Sequence, residues 1–158
     1  MMYACVSDVL RAKKINPEAV MLIRHTDNLK DGERRFRKAQ EAGFIKEYTA
    51  MQKKGFAKDT DYLMVFIGEP PTVARFFALY YIANRFPSRA GHVPEKYPNK
   101  SEVEAEGEYL DLQEVRLPPD LKGFVIEWGK SAAAWHQRAT IEKPIIEITM
   151  VNQTAEEG

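Results

Sequence analysis

The stretch YLMVFIGEPPTVARFFALYYIANRF, residues 62–86, sets the architecture of this chain. Its first part, Tyr62 to Ile67, is an unbroken apolar run of strand length, closed by Gly68 and Pro70-Pro71. Such a β-rich run reads as a strand, and the Gly and Pro residues punctuate it. Its second part, Val73 to Phe86, is rich in β-branched and aromatic residues and predicts a long or bent strand. The most apolar section, Phe76 to Ala83, is eight residues long. That is far short of the roughly 20 that span a bilayer.

Further strands follow on either side. Upstream, AVMLIR (Ala19 to Arg24) reads as a short buried strand. Downstream, Glu108 to Leu117 alternates in part and is broken by Pro118-Pro119. FVIEW (Phe124 to Trp128) and PIIEITM (Pro144 to Met150) complete the set. Helices are expected only in the first half. Ser7 is placed to cap a helix from Asp8 to Lys14, with Pro17 closing that region. A charged segment, Asp31 to Ala42, predicts a helix stopped by Gly43. In Phe44 to Lys54, apolar positions recur at helical spacing through Phe44, Ile45, Tyr48 and Met51, with Gly55 as the stop. Ser88 to Gly107, with Pro94 and Pro98, reads as a long loop. The expectation is an α+β fold: short N-terminal helices packed on an antiparallel, barrel-like β-sheet. One domain is expected over residues 1–151, with 152–158 a polar tail or linker.

Length and composition agree with this reading. The chain has 158 residues, 44% apolar and 29% charged, within the ordinary range for one globular domain. A single cysteine, Cys5, excludes a disulfide framework and an all-cysteine zinc site. No apolar stretch of signal-peptide length opens the chain, so a soluble cytoplasmic protein is expected. Net charge is zero, which excludes a globally basic nucleic-acid protein. The charge is nevertheless uneven. Arg24 to Lys58 holds ten Lys/Arg against five Asp/Glu, while Glu95 to Glu127 holds four against nine. Two solvated faces would explain this, and so would a phosphate-binding face set apart from an acidic one.

Catalytic motifs are weak. Gly129-Lys130-Ser131 invites comparison with a phosphate loop, but the required upstream glycine is replaced by Phe124. Cys5 lacks a neighbouring His and reads as a half-buried packing residue. His25, His92 and His136 have no metal-ligand spacing. The alternating Glu102, Glu104, Glu106 and Glu108 read as a solvated loop rather than an acid/base pair or a metal site. No serine-nucleophile elbow is present. Tyr80-Tyr81-Ile82 resembles half of a GIY-YIG nuclease signature without its partner element. No catalytic centre, metal or cofactor is expected.

Binding features are more suggestive. Arg34, Arg35, Arg37, Lys38, Lys53 and Lys54 belong to a basic cluster that can contact several phosphates from two helix faces. Trp128 and Trp135 bracket a segment containing Lys130 and Ser131, followed by His136, Gln137 and Arg138. An aromatic ring beside Gln and Arg donors suits reading a base edge or holding an extruded base. The plainer alternatives are a core anchor for Trp128 and a structural role for Arg24 and His25 at a strand end.

The segments VMLIRHT, AGFIKEYTAMQKKGF, DYLMVFIGEPPTVARFFALYYI, FVIEWGKSAAAWHQ and KPIIEI together resemble the N-terminal domain of bacterial proteins that carry a GIY-YIG nuclease-like domain at their C-terminus. The resemblance runs from about Val20 to Ile148. It implies a targeting domain of a restriction or defence system. The companion GIY-YIG unit would cut DNA, and this domain would choose where. Because this sequence reaches Gly158 without a nuclease segment, cleavage is not carried over to it. The expected partner is duplex DNA, with no membrane partner. A protein-interaction module docking through the acidic segment and a small-ligand sensor are the competing readings.

Overall fold

The computed structural model describes residues 3–26, 49–53, 58–69, 72–88, 107–129 and 136–151. Among them is one α-helix, α1 (Val6–Ala12), followed by a 3-10 turn at Pro17–Ala19. The strands are β1 (Val20–Thr26), β2 (Thr49–Lys53), β3 (Tyr62–Glu69), β4 (Val73–Ser88), β5 (Gly107–Val115), β6 (Leu121–Glu127), β7 (His136–Arg138) and β8 (Ile145–Met150). The fold is α+β, mostly strand. All eight strands join one sheet, in the order β2-β5-β4-β3-β1-β7, with β6 on β4 and β8 on β6.

The expected strands of the second half are present, but three expectations need correction. First, the sheet is mixed rather than antiparallel, because β1 and β3 run parallel, Val20 opposite Tyr62 through Thr26 opposite Gly68. A parallel pair needs a long crossover, and residues 27–61 supply it. Second, Thr49–Lys53 is a strand antiparallel to β5, not the end of a helix over Phe44 to Lys54. Ladder hydrogen bonds to a distant strand override the local helical spacing. Third, α1 begins two residues before Asp8, with Cys5 as its N-cap. The Asp8 carboxylate accepts from the Ala4 and Cys5 N–H groups at 2.9 and 3.3 Å. Ser7 is instead buried, and its hydroxyl donates to the Ala139 carbonyl at 3.2 Å. The helix expected over Asp31 to Ala42 lies outside the described residues, as does most of the Ser88 to Gly107 loop.

Strand β4 organises the sheet. One edge pairs with β3 along Val73 to Tyr81. The opposite edge is shared: β6 takes Val73 to Arg75, and β5 takes Leu79 onward. A register shift in the β3–β4 ladder near Phe77 bends the strand between those two partners. The β6–β8 wing therefore diverges from the rest of the sheet. Among the described residues no ladder joins β7 to β8, so the sheet is open.

Both faces of the central strands are buried. One face carries Val20, Leu22, Met64, Phe66 and Ala74, which pack with Val6, Val9 and Leu10 of α1 and with Phe124, Ile126 and Trp128. The i, i+3, i+4 spacing of the α1 residues gives the helix its inward stripe. The other face carries Ile23, Leu63, Val65, Ala78, Tyr80 and Ile82, with Leu110 and Leu112 of β5. Each fully buried large side chain contributes about 1.5–3 kcal/mol.

Candidate functional site

The C-terminal ends of β1, β3 and β6 meet around one aromatic cluster. Phe66 sits 5.9 Å from Phe124, 5.9 Å from Trp128 and 6.0 Å from Phe76, while Phe76 stacks on Phe124 at 5.0 Å. Trp128 is only 1% exposed, so it anchors the core. Its backbone N–H donates to the Thr72 carbonyl at 2.7 Å, tying the end of β6 to the turn before β4.

Two cations cap this tryptophan. The Arg24 guanidinium lies 5.7 Å from the ring centroid and the Lys143 ammonium 5.5 Å from it. Lys143 also donates to the Trp128 carbonyl. Burial pushes its amine below the ordinary lysine pKa, while the charge of Glu127 acts in the opposite direction. Among the described residues neither cation forms an ion pair, the Glu127 charge acting on Lys143 from farther away. Contacts of this kind contribute about 0.5–2 kcal/mol each and leave the charge available to an anion. Gly129 follows with φ +113, a backbone region that suits only glycine. It starts the segment that returns to the sheet at His136.

Strand β7 is that return. Ile23, Leu22 and Met21 of β1 stand opposite His136, Gln137 and Arg138. His136 is exposed. The Gln137 Oε1 atom is buried without a hydrogen-bond partner. Arg138 donates to the Glu18 carbonyl at 3.4 Å and to the Lys58 carbonyl at 3.2 Å. Its guanidinium thereby clamps β7 to the start of β1.

Of the residues singled out in the sequence, His136, Gln137 and Arg138 lie together at this sheet edge. Lys53 is in β2, which pairs with β5 at the opposite edge of the sheet from β7. Arg34, Arg35, Arg37, Lys38, Lys54, Lys130, Ser131 and Trp135 lie outside the described residues. Sequence reasoning missed Lys143. It is separated from Arg24 by more than a hundred positions, and only the stacking of β1, β3, β4 and β6 brings the two to one ring. The position of Arg24 at a strand end was the only signal available.

Among the described residues there is no cluster of His, Cys, Asp and Glu able to hold a metal, and no helix long and apolar enough to cross a membrane. Comparison with protein-family models, curated proteins and solved structures returns no match.

Proposed function

We propose that this chain is a nucleic-acid recognition domain without a catalytic centre of its own, directed at duplex DNA and, in its sharper form, at a modified base. Its system would be of restriction or defence type, with cleavage residing in a separate GIY-YIG nuclease domain. The observation that carries the reading is the pair of cations, Arg24 and Lys143, that form no ion pair among the described residues and lie on Trp128, one residue before Gly129-Lys130-Ser131. Such cations gain most from a phosphate, which supplies the missing charge. On this reading the bent sheet is a barrel-like platform. Lys130, Ser131 and Trp135 would extend the contact, and Arg34, Arg35, Arg37, Lys38, Lys53 and Lys54 would add a basic flank. His136, exposed on β7, would face the base edge, while Arg138 holds β7 in place.

The experiment is fluorescence anisotropy with labelled duplex DNA, single-stranded DNA and RNA, including methylated and hydroxymethylated duplexes. Duplex binding that weakens steeply with salt is expected, with preference for one modified duplex. No binding to any of them at low salt would end the reading. A protein-docking role has one observation in its favour: Ile146, Ile148 and Met150 on β8 are exposed. Salt-insensitive self-association without DNA binding would select that role instead.

A further inference from the structure

A cleft of about 310 Å³ opens where β5 and β6 part from β4, away from the Trp128 end of β6. Phe76, Phe77 and Ala78 carry neither the β5 nor the β6 ladder on that edge of β4. The link Arg116-Leu117-Pro118-Pro119-Asp120 joins β5 to β6 there through a turn held by a hydrogen bond from the Leu121 N–H to the Pro118 carbonyl at 3.0 Å. Phe77, Val115, Leu117 and Leu121 give the cleft apolar walls. Arg116, Lys122 and Glu114 are its charged lining. Among the described residues none of these three has an ion-pair partner. The lining thus carries two cations against one acid beside an apolar floor.

We propose that this cleft binds a small amphiphilic carboxylate, its apolar body on the Phe77, Val115 and Leu117 walls and its carboxylate on Arg116 and Lys122. The size is at the lower end of small-molecule sites, about 300–1,000 Å³. A short-chain ligand therefore fits and a long lipid does not. Charge selects the head group: an ammonium would meet two like charges, and an alcohol would leave both cations without a counter-charge. The site is independent of the Arg24–Lys143 cluster, so its success or failure leaves the DNA reading untouched.

The test is isothermal titration calorimetry of the whole chain with octanoate, octanol and octylamine, paired with amide chemical-shift mapping. Octanoate is expected to bind saturably at one site, at least tenfold tighter than the other two. Shifts should centre on Phe77 to Leu79 and Leu117 to Lys122. The double variant Arg116→Gln/Lys122→Gln, exposed and clear of the core, should erase the octanoate preference. Glu114→Gln should strengthen octanoate binding about two- to fivefold, which a merely greasy groove would not show. Equal binding of the three probes, shifts centred elsewhere, or no saturable octanoate binding would each overturn the proposal.

Discussion

Strands β3 and β8 are both short apolar runs, yet they end in opposite environments. In β3, Leu63 through Ile67 are all buried, with alternate side chains feeding the two core faces. In β8, Ile146 through Met150 are all exposed, and only Ile145 packs against the core. The difference is one of neighbours. Strand β3 lies between β1 and β4 and is covered on both faces, whereas among the described residues β8 is bonded along a ladder only to β6. Apolar composition therefore marks a strand without saying how deep it lies.

The sharpest way to break that comparison is to truncate the corresponding aromatic and aliphatic anchors. Phe66→Ala removes the ring that touches Phe76, Phe124 and Trp128 and should cost about 3–5 kcal/mol in urea unfolding. Ile148→Ala, at 39% exposure, should cost about 1 kcal/mol or less in the same assay. Equal costs would mean that β8 is as deeply packed as β3. An effect between these two is expected at the end of β6. In Gly129→Ala a new Cβ has room, with the Lys143 ammonium its nearest neighbour at 3.9 Å, but the positive φ must be strained. The cost should be about 1–2 kcal/mol, read as a lower melting temperature.

Beneath the β8 wing a further effect depends on pH. Tyr3 donates to Asp120 Oδ1 at 2.7 Å. Burial first, then the hydrogen bond and the charge of Asp120, push the Tyr3 phenol up to about 12. The folded state thus favours the protonated phenol. That stability is fully present below pH 10 and is lost as pH rises through the folded value. Alkaline denaturation should begin within the pH 10 to 12 window, and Tyr3→Phe should flatten the curve there. An unchanged curve would remove Tyr3 from the wing's anchoring.

What was readable in the sequence follows the same division. The runs around β1, β3 and β4 announce themselves because β-branched and aromatic residues are bounded by Gly and Pro. The burial of Trp128 was legible as a core-anchor alternative. The parallel pairing of β1 with β3 was not, since nothing local encodes which distant strand lies alongside. Met51 fits a helical stripe as well as a strand, and only pairing with β5 resolves TAMQK as extended. At the site, the His136 to Arg138 segment was visible as a polar stretch after Trp128. The role of Arg138 as a clamp on two carbonyls was not, because it depends on where Glu18 and Lys58 come to lie. Lys143 carried no signal at all.

The most direct test of the DNA reading is the salt slope of duplex binding, compared between the unaltered chain and the double variant Arg24→Gln/Lys143→Gln, with thermal denaturation confirming that both are folded. If the two cations meet phosphates, the slope of log affinity against log salt should fall by about two, and binding should weaken on every duplex sequence. An unchanged slope in a folded double variant would contradict the account and leave Arg24 and Lys143 as braces on the Trp128 ring alone.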